Sequence, residues 1–105
     1  MAEFVTVAKT GDVPPGRVNV YAVNGKSIAV CNVDGTFYAI DDVCTHDGGS
    51  LDQGELTGNE IECPRHGALF DVKTGRALTL PAVVPVRSYP VQVNGDHIMV
   101  EVDDD

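Results

Sequence analysis

Two short segments each place a cysteine and a histidine within reach of a common point: Cys44-Thr45-His46, and Cys63-Pro64-Arg65-His66. Sixteen residues separate His46 from Cys63, and the two pairs use two of the three cysteines and two of the three histidines in the chain. Thiolates and imidazoles are metal ligands. Glycine and proline beside each pair (Gly48 and Gly49, Pro64 and Gly67) suit tight loops that present two side chains together. Two chemistries use this donor set. One is a tetrahedral zinc site, and the other is a [2Fe-2S] cluster with two thiolates on one iron and two imidazoles on the other. The single residue between Cys44 and His46 is short for a zinc finger, which also sits in a ββα unit. The spacing therefore favours iron and leaves zinc open. Cys31, in "SIAVCNV", has no companion motif and reads as a buried structural thiol. His97 reads as a surface residue opening the last strand. Neither a serine-histidine-acid arrangement nor a helical zinc-hydrolase motif is present.

The elements that must carry these residues are strands. Strand-sized apolar runs punctuated by turn signals fill the sequence, and no segment holds a helical period, so the chain is expected to be all-β. Phe4 to Ala8 is the first expected strand, followed by "GDVPPG" as a stiff loop. Val18, Val20 and Ala22 alternate up to Asn24-Gly25, a two-residue hairpin signal, and Ser27 to Val33 returns. Asp34-Gly35 turns the chain into Thr36 to Ile40. The polar, glycine-rich segment from Asp41 to Glu60 has too few apolar residues to pack for its own sake, so something other than a core is expected to order it. Short strands are expected at Ile61 to Cys63 and Leu69 to Val72, with a turn at Lys73-Thr74-Gly75. Pro81 to Pro85 reads as a restrained loop. Tyr89 to Val93 and His97 to Val102 form a closing hairpin with Ile98, Val100 and Val102 on one face.

At 105 residues the chain is expected to form one domain, 1–105, with one core and no large enclosed substrate cleft. Sixteen acids against seven bases leave a net charge of -9, which repels a phosphate backbone and disfavours nucleic acid as a partner. A protein partner with a basic face is the expected alternative. Asp103, Asp104 and Asp105 read as a solubilising tail. No apolar run approaches bilayer length and no charged n-region precedes an apolar one, so a soluble, cytoplasmic protein without membrane contact is expected. An odd number of cysteines argues against a disulfide scaffold.

Cys44-Thr45-His46, the sixteen-residue gap, Cys63-Pro64-Arg65-His66-Gly67, Phe70-Asp71 and Thr74-Gly75 resemble the fingerprint of Rieske-type [2Fe-2S] proteins. The likeness continues through Leu80-Pro81-Ala82, Pro85, Tyr89 and the last hairpin. It implies one [2Fe-2S] cluster, with Cys44 and Cys63 on the buried iron and His46 and His66 on the outer iron through Nδ1, their Nε2 edges near solvent. It also implies the Rieske iron-sulfur fold: an antiparallel β-sandwich or barrel-like base made by both chain ends, carrying a cluster-binding subdomain at about 41–82.

Departures from the family's high-potential branch are informative. Gly49 and Arg65 stand where that branch has disulfide cysteines, and Ala68 and Phe70 stand where it has serine and tyrosine hydroxyls. Fewer donors to the cluster make reduction harder, as do nearby acids (Asp41, Asp42, Asp47, Asp52, Glu62). A potential toward the low end of the Rieske range, which extends to about -150 mV, is expected. A mononuclear iron site of the oxygenase kind would need a second domain, and the chain has no room for one. The resemblance is closest to the ferredoxin components of bacterial aromatic-ring-hydroxylating dioxygenases. It implies a monomeric one-electron carrier, not itself an enzyme, between a flavin-containing ferredoxin reductase and a terminal Rieske oxygenase. A Rieske-like small subunit of another reductase, such as nitrite reductase, and a zinc-stabilised interaction module are the other readings.

Overall fold

The computed structural model describes residues 3–43, 51–52, 54–64, 67–80 and 84–102. Among these the regular structure is antiparallel β with one short 3-10 helix at Thr10–Asp12, as the all-β expectation required. The strands are β1 (Glu3–Lys9), β2 (Val18–Val23), β3 (Lys26–Val33), β4 (Thr36–Asp41), β5 (Leu56–Thr57), β6 (Glu60–Glu62), β7 (Leu69–Asp71), β8 (Ser88–Tyr89), β9 (Val91–Asn94) and β10 (His97–Val102).

Three sheets result, ordered β1-β10-β9, β2-β3-β4-β8 and β5-β6-β7. None closes on itself, so the sandwich half of the expectation describes the base and the barrel half does not. Both hairpin signals act as their residue types require. Asn24 and Gly25 lie at φ 50 and 79, and Asp34 and Gly35 at 52 and 91, the left-handed backbone that matches strand twist in a two-residue turn. The second turn is further tied by Asn32, a buried polar residue. Its Oδ1 accepts the Gly35 N–H at 2.7 Å and its Nδ2 donates to the Val13 carbonyl at 2.7 Å.

Strand β3 is apolar on both faces and separates two cores. Ile28 and Val30 face a core with Val23, Ala39, Tyr89, Ile98, Val100 and Val102. Ala29 and Cys31, on the opposite face by the period of two, join Leu51, Ile61, Cys63, Ala68, Phe70 and Val72. The first core binds the two larger sheets together, and the second attaches the small β5-β6-β7 sheet to them.

Three expectations are corrected. Tyr89 to Val93 is not one strand: β8 pairs with β4, β9 pairs with β10, and Pro90, which has no N–H to offer a ladder, stands where the chain changes sheets. The Ile61 to Cys63 strand runs instead from Glu60 to Glu62, so Cys63 lies just past its end. The Asp41 to Glu60 segment does reach the core: Leu51 is fully buried, Leu56 packs beside it, and Leu56–Thr57 pairs with β6. Most of the Pro81 to Pro85 loop lies outside the described residues.

Candidate metal centre

Cys63 is 1% exposed, at the start of a turn that closes on itself. Its N–H donates to the Ala68 carbonyl at 2.7 Å and its carbonyl accepts the Gly67 N–H at 2.9 Å. Gly67 turns the chain at φ 75, a backbone that disfavours side chains with a Cβ. The Cys63 thiol is free and shares the apolar cluster of Leu51, Ile61, Ala68 and Phe70. A buried thiol whose backbone is held by hydrogen bonds to Gly67 and Ala68 suits a soft metal ligand, and the Cys/His donor set fits a Rieske cluster. Cys44, His46 and His66 lie outside the described residues, as do Gly48, Gly49 and Arg65. Among the described residues no three His, Cys, Asp or Glu side chains cluster as a metal site.

The chain between the two ligand segments is pressed against the approach to Cys63. A Cβ on Gly54 would fall 1.6 Å from the Glu62 carbonyl oxygen, so only glycine fits there. The Gly54 N–H donates to the Leu51 carbonyl at 3.0 Å, and the Glu62 N–H to the Glu55 carbonyl at 3.0 Å. On the far side of the turn, Leu69 donates its N–H to Thr79 Oγ1 at 2.9 Å while the Leu78 N–H returns to the Leu69 carbonyl at 2.8 Å. Gly75, at φ 82, is a second close approach: an added Cβ would sit 2.0 Å from the Val86 carbonyl oxygen. The Val86 N–H donates to the Gly75 carbonyl at 2.8 Å. Glycines 54 and 75 thus fix the loops flanking Cys63 against neighbouring backbone.

The acids near the proposed ligands read in the sequence only as charge, and two of them also build structure. Asp41 accepts the Tyr89 hydroxyl, and the Arg87 guanidinium lies over the Tyr89 ring, 4.9 Å from its centroid. Asp42 Oδ1 accepts the N–H groups of Leu51 at 2.9 Å and Asp52 at 2.8 Å. Nothing in the string "DDVC" distinguishes these carboxylates from surface acids. Glu62 is exposed.

Ala68 and Phe70, the positions without hydroxyls, are both fully buried, Ala68 in the turn that holds Cys63. Cys31 is fully buried in the same apolar cluster as Cys63. Burial, and then the Asp42 carboxylate, push its thiol up to about 12, so it keeps its proton and behaves as a structural side chain. His97 is exposed, its Nε2 3.5 Å from Asp96 Oδ1.

Comparison with known proteins agrees with this arrangement. The model of the Rieske [2Fe-2S] domain matches residues 3–90. The ferredoxin component of the naphthalene 1,2-dioxygenase/salicylate 5-hydroxylase systems of a Ralstonia species is 40% identical over 100 residues, spanning 95% of this chain and 96% of that one. The ferredoxin of carbazole 1,9a-dioxygenase from Nocardioides aromaticivorans IC177 superposes with a TM-score of 0.90 at 39% identity, covering 92% of this chain and 95% of the other. A protein described as a putative NADH-dependent nitrite reductase small subunit, from Mycobacterium tuberculosis, superposes with a TM-score of 0.87 at 22% identity, over 98% and 97% of the two chains. That last likeness is one of fold alone. The chain belongs to the Rieske [2Fe-2S] family, as a small electron-transfer ferredoxin.

Proposed function

We propose that this ferredoxin carries single electrons from a flavin-containing, NAD(P)H-oxidising reductase to the Rieske centre of a terminal aromatic-ring-hydroxylating oxygenase. The observation that carries the reading is the near full-length match to ferredoxin components of such systems by a chain that retains all four ligand residues. Cys44 and Cys63 would hold one iron and His46 and His66 the other, within a cluster-binding subdomain at about 41–82. Bound there, the [2Fe-2S] group supplies a site that accepts and releases one electron at a time.

The chain's own residues set how readily this happens. Cys63 lies at the start of a turn in which the Cys63 and Gly67 N–H groups are engaged with the Ala68 and Cys63 carbonyls, and the methyl of Ala68 offers no hydroxyl to a sulfur. The acidic chain, at -9, opposes an added negative charge. Both features lower the potential, toward about -150 mV. Transfer would pass by way of the two histidine ligands, His46 and His66, and a monomer working in the cytoplasm suits a shuttle between two larger proteins. Among the described residues no helix is long and apolar enough to cross a membrane.

The test is to purify the protein without added metal, measure iron, sulfide and zinc, then reduce it through a flavoprotein reductase and offer it to ring-hydroxylating oxygenases. Two irons and two sulfides per chain with oxygenase turnover are expected. Stoichiometric zinc, or a reduced iron protein that no such oxygenase reoxidises, would overturn the reading. Cys63→Ser is expected to abolish the stoichiometric cluster.

A further inference from the structure

One carboxylate joins two stretches of backbone that are nine and ten residues apart in sequence. Asp42 Oδ1 accepts the N–H groups of Leu51 and Asp52, so residue 42 is joined to residues 51–52 across the stretch of sequence that contains Cys44 and His46. Each end is anchored in turn. The Asp42 N–H donates to the Ser27 carbonyl on β3 at 2.9 Å, and the Asp41 N–H to the Arg87 carbonyl at 2.9 Å. At the other end the Leu51 side chain is fully buried in the cluster that contains Cys63, and the Leu51 carbonyl accepts the Gly54 N–H. Gly54 itself abuts the Glu62 carbonyl, one residue before Cys63. A continuous path therefore runs from the base strands through the Asp42 carboxylate to the backbone that delivers the second ligand pair.

We infer that Asp42 is a positioning residue for the metal centre: its carboxylate ties residue 42 to residues 51–52, the described positions that bound the sequence carrying Cys44 and His46. The inference rests on the proposal that Cys44, His46, Cys63 and His66 are the ligands. Its physical basis is loop closure. A ligand pair on an open segment must be ordered each time metal binds, and a staple at the base of the segment removes part of that cost beforehand. A carboxylate accepting two backbone N–H groups is well suited, because such bonds are charge-assisted. Groups that orient metal ligands without touching the metal commonly change metal retention by about 10-fold or more when removed.

The position of Asp42 two residues before Cys44 allows a simpler role, in which its negative charge alone matters. Asparagine separates the two, because its amide oxygen keeps an acceptor at the same place and drops the charge. The experiment compares the iron-loaded wild type, Asp42→Asn and Asp42→Ala by the half-time of iron loss to a chelator and by amide hydrogen exchange. In Asp42→Ala, iron loss is expected to accelerate about 10-fold, and the Leu51 and Asp52 amides to lose protection while those of Val30 and Cys31 on β3 keep theirs. Asp42→Asn is expected to stay within about threefold of the wild type, since one acceptor survives.

Equal behaviour of the two variants would overturn the staple and leave a charge effect. Wild-type iron retention in Asp42→Ala, or loss of protection throughout β3, would overturn it as well, the latter by making Asp42 a residue of the fold at large. Absence of iron from the wild type would instead overturn the ligand proposal. The exchange of the Leu51 and Asp52 amides would then decide the staple without reference to metal.

Discussion

In the base, β2, β3 and β4 meet along ladders in which every residue from Val18 to Val23 and from Ile28 to Val33 has an antiparallel partner, over a core of fully buried Ile28, Val30, Ile98, Val100 and Val102. In the part that carries Cys63, β5, β6 and β7 have only two, three and three residues. There the work passes to individual groups: two glycines under neighbouring carbonyls, a carboxylate across a loop and a hydroxyl that takes the Leu69 N–H. A ladder distributes a local loss over many similar contacts, whereas a loop held by single groups has nothing to redistribute it to. The difference teaches that the backbone around Cys63 depends on a few specific residues, and that the base tolerates more change.

The largest expected contrast is between two glycine substitutions. Gly54→Ala puts a methyl where the Glu62 carbonyl already lies, and is expected to cost at least about 3 kcal/mol and to lower bound iron. Gly11→Ala in the base meets nothing within 4 Å and is expected to stay within about 0.5 kcal/mol. Chemical denaturation with iron analysis checks both. Similar losses at the two positions would remove the distinction between the regions.

Cys31 provides a contrast of intermediate size, as the base's contribution to the core it shares with Cys63. The folded chain holds its proton to about 12, against the ordinary 9.0 that the unfolded chain approaches. The folded state thus binds more protons above pH 9, and stability fully present below that pH is lost as pH rises toward 12, by at most about 1.4 kcal/mol per pH unit. Denaturation midpoints of wild type and Cys31→Ala between pH 8 and 10.5 should show a steeper fall in the wild type. Parallel slopes would mean that the thiol is not held protonated.

The smallest effect concerns potential. Ala68→Ser adds a hydroxyl in the turn holding Cys63 and is expected to raise the reduction potential by about 40 mV, the equivalent of one hydrogen bond of about 1 kcal/mol to the reduced centre. Ala39→Ser, equally buried but in the base core, is the control and should leave the potential unchanged. Voltammetry decides, and a shift of the same size in both variants would point to a general effect of buried polarity.

What was legible in the sequence follows the same division. Asn24-Gly25 and Asp34-Gly35 announce their hairpins because few other residue pairs accept left-handed backbone at both positions. Ile98, Val100 and Val102 announce a buried face by alternation, and all three are fully buried. Cys63 is recognisable as a ligand candidate from type and spacing alone. The Leu56–Thr57 strand is not legible, since two residues carry no period. Pro90 signals a break in the last strands without saying that the chain leaves one sheet for another, because strand partners are set by tertiary packing. The Asp42 bonds and the Gly54 contact were equally hidden, for both depend on which backbone comes to lie beside them.

The pairing of β1 with β10 has a consequence for how the protein is made. Glu3 lies opposite Val102 and Phe4 opposite Glu101, so the first strand of this fold is completed by the last. β2, β3 and β4 can zip as local hairpins while synthesis proceeds, whereas β1 waits, unpaired along its edge, for almost the entire chain. The arrival of β10 is therefore the step that completes the base.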